Sequence, residues 1–109
     1  MKKISEKEIQ KQIIDYLRLK KYLVVKFHSS IFVGKRGQEG RFIKSPQVGV
    51  SDIIACQPET GRYVAIEVKK EGNQPSKFQL DFLAEVRARK GIGFVAYSLD
   101  DVMKELENL

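Results

Sequence analysis

Asp52 stands at the head of the apolar run "DIIAC", Glu67 near the end of "YVAIEV", and Lys69 two residues beyond it. Successive side chains of a strand point to opposite faces. Val64, Ile66 and Val68 therefore share one face, and Ala65, Glu67 and Lys69 the other. The first set is plain core. The second sets a carboxylate beside an ammonium, after a small residue that leaves room. Alone, such a pair is a sheet-surface salt bridge of little energetic weight. Asp52 changes the reading. "PETG", residues 58–61, has the composition of a turn. Asp52 lies six residues before Pro58, and Glu67 six after Gly61. If the turn closes a hairpin, the two carboxylates come nearly opposite each other. They repel unless a cation sits between them. Hard divalent cations such as Mg2+ favour one or two carboxylates completed by water and substrate phosphate. The spacing thus predicts a metal site at Asp52 and Glu67.

A third carboxylate comes from the N-terminal segment. Ser5 to Lys21 reads as a helix, with Ile9, Ile13, Ile14, Tyr16 and Leu17 at helical spacing. At about 100° per residue, these side chains fall within about 80° of Glu6. Glu6 therefore shares the inward stripe, where a carboxylate needs a partner or a ligand. It also lies in the first turn, where an acid suits the helix dipole, so both readings stand. Glu8 falls nearly opposite and is explained by the S-x-x-E capping box it makes with Ser5. Gln79 has two readings as well. Ser76 and Gln79 form S-x-x-Q, a second capping box, and Gln79 shares the stripe of Phe78, Phe82, Leu83 and Val86. From there it can reach inward to a water or a phosphate.

Basic residues supply the other half of the chemistry. The chain has 20 Lys and Arg against 14 Asp and Glu, a net charge of +6, which suits a polyanionic partner. Lys35, Arg36, Arg41 and Lys44 cluster with one acid, Glu39, among Gly34, Gly37 and Gly40. That composition predicts an exposed basic loop or loose hairpin able to touch phosphates. His28, the only histidine, adjoins this segment and reads as a strand-end polar group. Cys56 reads as a small buried apolar residue.

The elements that must position these groups follow from pattern. "YLVVKFH" reads as a first strand, "SDIIACQ" as a second, "RYVAIEVKK" as a third and "GFVAYS" as a fourth. Between the last two, "EGNQP" breaks the chain and Ser76 to Lys90 reads as a helix stopped by Gly91. "DDVMKELENL" forms a short closing helix. The order is αβββαβα, an α/β domain with a mixed sheet and helices packed against it. At 109 residues this is one domain, residues 1–109, with no repeat or linker. A single cysteine excludes an internal disulfide and a cysteine-based zinc site. No apolar run approaches the roughly 20 residues of a membrane span, so no membrane partner is expected. The charged "MKKISEKEIQ" has no apolar signal core, so no export is expected.

Taken together, "SEKEIQKQIIDYL", "GVSDIIA", "VAIEVKK" and "KFQLDFLAEVRARKGIGFVAYSLDDV" resemble the PD-(D/E)xK nuclease superfamily, and within it the VRR-NUC (virus-type replication-repair nuclease) domains. The likeness spans nearly the whole chain, and the glutamine-containing helix makes it more specific than D…E-x-K alone. One departure is Ser51, where the superfamily's name has proline. The resemblance implies a restriction-endonuclease-like fold and a metal-dependent endonuclease. Asp52 and Glu67 would ligate Mg2+ or Mn2+ with the backbone carbonyl of Val68, and Glu6 would complete the set directly or through water. Lys69 would orient or activate the attacking water, with Gln79 in support. DNA would be held through Lys35, Arg36, Arg41, Lys44, Lys70 and Lys77. Stand-alone members look like Holliday-junction resolvases, which implies a homodimer on four-way or other branched DNA. An intracellular, cytoplasmic setting in a phage or bacterium would fit. Three rivals remain: a non-catalytic nucleic-acid-binding domain of the same fold, a nuclease acting on flap or linear duplex DNA, and a structural subunit with an ionic sheet face. A binding module, however, would gain from basic residues at positions 52 and 67, since acids repel phosphate.

Overall fold

The Ser5 side chain accepts the Glu8 backbone N–H while the Glu8 carboxylate accepts from the Ser5 N–H, so the first helix starts where the capping box places it. A computed structural model of the chain describes residues 4–26, 30–33, 41–44 and 50–108, with side chains described outside 30–33 and 41–44. Its elements are α1 (Glu6–Leu19), β1 (Leu23–Lys26), β2 (Ser30–Val33), β3 (Arg41–Lys44), β4 (Ile53–Cys56), β5 (Tyr63–Val68), α2 (Lys77–Ala88), β6 (Ile92–Ala96) and α3 (Leu99–Glu107).

A four-stranded mixed sheet in the order β1-β4-β5-β6 forms the middle layer. β1 and β5 run antiparallel to β4, and β6 runs parallel to β5. The expected αβββαβα order is present, with one addition. β2 and β3 form a separate antiparallel hairpin within the glycine-rich basic segment. Arg41 and Lys44 bound β3, with side chains outside the described part. Lys35, Arg36, Gly34, Gly37, Gly40 and His28 lie outside the described residues.

One sheet face meets α1 and α3. Ile9, Ile13, Ile14 and Leu17 of α1 and Val102 and Leu106 of α3 pack against Ile53, Ala55, Val64, Ile66, Val68, Ile92, Phe94 and Ala96. The other face meets α2, where Ile54 and Ala65 pack against Phe82, Leu83 and Val86. α2 sits close because the strands beneath it are small. A Cβ on Gly93 would lie 3.0 Å from the Leu83 carbonyl oxygen. Arg87 ties the C-terminal half of α2 down with a 2.8 Å hydrogen bond to the Gly93 carbonyl.

The α2 stop differs from the expectation at Gly91. Lys90 takes the left-handed conformation (φ 73°), and its N–H donates to Arg87 O while the Gly91 N–H donates to Val86 O. This is a Schellman motif with lysine at the position glycine usually takes. Gly91 is required for a different reason, since a Cβ there would lie 2.7 Å from Val86 Cγ1. Cys56 is half-buried at the end of β4, more open than its apolar reading implied.

Candidate active site

The turn at 58–61 closes the β4–β5 hairpin, with Gly61 N–H on Gln57 O and Gln57 N–H on Arg62 O. Ile53 then pairs with Ile66 and Ile54 with Ala65. One step further along the same register, Asp52 comes opposite Glu67, as the residue count requires. Asp52 precedes the strand and replaces the ladder with its side chain, accepting the Val68 N–H on Oδ2 at 3.1 Å. Both carboxylates are buried, Glu67 to 1 % exposure, on the α2 side of the sheet.

Glu67 uses its two oxygens unequally. Oε2 accepts from Gln79 Nε2 at 2.7 Å and lies 3.9 Å from Lys69 Nζ. Oε1 is buried and accepts no hydrogen bond among the described residues. Burial first, then the charge of Asp52 and the hydrogen bond a protonated Glu67 makes to it, push the Glu67 carboxyl up to about 8, against the pull of Lys69. Two buried carboxylates with an unpartnered oxygen are a donor set that fits a hard divalent cation, which favours oxygen ligands and offsets the repulsion.

Gln79 caps α2 and also reaches inward, to a carboxylate where the sequence suggested a water or a phosphate. Its Oε1 accepts the Ser76 N–H at 2.7 Å and its N–H donates to Ser76 Oγ, completing the capping box. The remaining amide N–H2 is what reaches Glu67. The N-terminus of α2 is thereby fixed to the acidic pair through one side chain.

Glu6 has a different surrounding. It is half-buried, and Oε2 accepts from Lys70 N–H and Asn73 Nδ2, each at 3.2 Å. The carboxylate thus fastens the loop that follows Lys69. Among the described residues, no three His, Cys, Asp or Glu side chains gather into a metal-binding group. Lys70 and Lys77 are exposed, and Lys77 pairs with Asp81 at 3.0 Å. An open cleft of about 730 Å³ lies between the start of β5 and the C-terminal half of α2, lined by Arg62, Tyr63, Phe82 and Arg89, away from the acidic pair.

One residue at the site escapes sequence reasoning. Lys26 is half-buried, and its Nζ donates to the Ser51 carbonyl at 2.7 Å. Burial pulls its ammonium below the usual lysine range, while the charges of Asp52 and Glu67 pull it back up. A lysine inside an apolar strand sequence is the only signal the chain offers, and alternation alone puts it on the wrong face. Ser51 is itself fully buried, its Oγ without a partner among the described residues.

A family model described as "VRR-NUC domain" matches residues 4–100 of the 109-residue chain. No curated protein and no solved structure matches it. No helix among the described residues is long and apolar enough to cross a membrane.

Proposed function

Because the chain belongs to the VRR-NUC domain family, a family of nucleases, we propose that it is a divalent-metal-dependent endonuclease that hydrolyses phosphodiester bonds in branched DNA. The observation that carries this reading is the buried Asp52–Glu67 pair with Glu67 Oε1 unpartnered. Asp52 and Glu67 would hold Mg2+, or Mn2+ in its place. The Val68 carbonyl leaves the strand on the same side as the N–H that meets Asp52 and would join them. Glu6 would complete the set directly or through water. When bound, the ion neutralises phosphate charge and acidifies a water.

The chain's own groups do the rest. Lys69 shares the face of Glu67 and sets a positive charge where negative charge develops on the phosphorus oxygens. It also suits the task of orienting the attacking water. Gln79 holds Glu67 Oε2, which leaves Oε1 as the free oxygen of that carboxylate. Glu6 holds Lys70 N–H and so steadies the segment carrying Lys69 and Lys70. Lys35, Arg36, Arg41, Lys44, Lys70 and Lys77 would hold the DNA backbone, so binding weakens steeply with salt. A four-way junction has two equivalent scissile strands, and a C2 homodimer supplies two sites for them. Such an enzyme would work inside the cell, where DNA is found.

The test is cleavage of labelled four-way junction, flap and linear duplex in Mg2+, with Glu67→Ala and Lys69→Ala alongside. The wild type is expected to cut the junction. Lys69→Ala should lose about a hundredfold to a thousandfold in rate, and Glu67→Ala should fall to background. No cleavage of any substrate by the wild type would sink the nuclease reading. Cutting of the flap alone would remove the junction preference and leave the chemistry.

A further inference from the structure

β1 does not keep a regular register against β4. Leu23 pairs with Cys56 and Val24 with Ala55, but Lys26 pairs with Ile54, so Val25 is an extra residue. This is a β-bulge, a device that re-aims a side chain. Residues opposite each other on antiparallel strands share a face. Ala55 belongs to the α1 face and Ile54 to the α2 face. Val24 accordingly packs into the α1 core. In unbroken register Lys26 would stand opposite Ile53 and follow Val24 into that core, whose buried members among the described residues are all apolar. The bulge turns it to the side of Asp52 and Glu67.

What Lys26 does there follows from its short bond among the described residues. Nζ donates to the carbonyl of Ser51, the residue immediately before Asp52. Residues 50–52 precede β4 and have no ladder of their own at that point, since the first register pair is at Ile53. The Asp52 carboxylate is held from one side by Val68 N–H, and its backbone from the other by Lys26.

We propose that Lys26 is a positioning residue of this site: turned inward by the bulge at Val25, it clamps the Ser51 carbonyl and thereby fixes where the Asp52 carboxylate lies. The inference deepens the nuclease reading and rests on it for the purpose of the site, although the clamp itself can be measured without metal or DNA. The amount of positioning is read at Val68, whose N–H depends on Asp52 Oδ2.

The experiment compares wild type, Lys26→Met and Lys26→Arg. In EDTA, amide exchange by NMR is followed at Val68 and, as a control on the same strand, Ile66. Lys26→Met should speed Val68 exchange by about tenfold more than Ile66, as a local opening does. Lys26→Arg keeps a donor for Ser51 O and should stay near wild type. In a calorimetric Mn2+ titration, Lys26→Met should bind about ten- to a hundredfold more weakly, the usual cost of losing a partner that orients a ligand, with Lys26→Arg in between. A merely structural role would lower the melting temperature and speed both amides alike. Unchanged Val68 exchange in Lys26→Met overturns the inference. So does tighter Mn2+ binding, which would mark Lys26 as a competing charge and not a clamp. Should Lys26→Met fail to fold, Lys26→Gln, polar but too short to reach Ser51 O, is read the same way. A chain that cuts DNA while Val68 ignores Lys26 loses the inference and keeps the nuclease reading. A chain that cuts nothing while Val68 responds does the reverse.

Discussion

The two faces of β5 alternate residue by residue and are built on opposite terms. Toward α1 and α3 point Val64, Ile66 and Val68, all fully buried among other apolar side chains. Toward α2 point Ala65 and Glu67, equally buried, and then Lys69. The β5 side chains on the first face carry no polar atom. The second collects Asp52, Glu67, Lys26, Lys69 and Gln79 just beyond the reach of the apolar part of α2. Burying two carboxylates with an oxygen unpartnered costs stability. The apolar face must offset that cost, and it does so by packing two helices where the other packs one. The face that holds the fold together and the face that carries the chemistry are thus one residue apart on the same strand.

Adjacent substitutions should separate them most sharply. Ile66→Ala empties a fully buried site between β5 and the α1–α3 layer and should cost about 2–5 kcal/mol of unfolding free energy. Molecules still folded should cut DNA at a near-normal rate. Glu67→Gln should do the opposite. It keeps the side-chain shape and an oxygen for Gln79, stays neutral at every pH as protonated Glu67 does below about 8, and should leave stability equal or higher while cleavage is lost. Urea unfolding and single-turnover cleavage on both variants check this. Equal stability losses at positions 66 and 67 would break the contrast between the faces.

The polar face should also show itself in pH. Glu67 keeps its proton up to about 8 in the folded chain, against an ordinary 4.5 when unfolded. Between those values the folded state binds more protons than the unfolded one. Stability therefore falls as pH rises from about 5 to 8 and levels off above, by a few kcal/mol at most. The stabilising proton is fully present below 4.5 and is lost as pH passes through 8. Chemical denaturation in EDTA across this range should trace that fall, and Glu67→Gln should flatten it. Saturating Mg2+ should flatten it too, because an ion that binds only the ionised pair stabilises the high-pH form.

The contrast also explains what could be read from sequence. The Asp52–Glu67 juxtaposition was legible because a short turn fixes hairpin register, and register fixes which side chains meet. Gln79 was legible as a cap from local spacing and as inward-facing from the stripe it shares with Phe82, Leu83 and Val86, although Phe78 of that stripe is exposed and the contact to Glu67 was not foreseen. Glu6 was placed on the inward stripe of its helix, which it occupies in part. Its partners, Lys70 N–H and Asn73, come from a loop 64 and 67 residues away, and no helical periodicity records where such a loop lands. Lys26 was illegible for another reason. "LVVK" contains no glycine or proline to announce a bulge, so strict alternation assigns Lys26 to the wrong face. The helix ends show the same limit. Lysines, not glycines, take the left-handed positions at Lys21 and Lys90, because neighbouring hydrogen bonds outweigh a modest steric cost.

The smallest expected effect lies where the two aims of the α2 face meet. Gly93 in β6 sits beside Ala65, under Leu83 of α2. A Cβ there would stand 3.0 Å from the Leu83 carbonyl and 3.5 Å from its Cα. Both are backbone atoms, so no flexible side chain can give way, and α2 must lift by a few tenths of an ångström. Gly93→Ala should then cost about 1 kcal/mol, the low end of overpacking, partly offset by the lower chain entropy of alanine. Lifting α2 also draws Gln79 away from Glu67 Oε2, the contact by which this helix holds the acidic pair. A severalfold drop in cleavage rate beside so small a stability loss would mean that α2 is there to set Glu67 as well as to cover the sheet. Wild-type cleavage in Gly93→Ala would restrict α2 to packing and leave the placement of Glu67 to the strands alone.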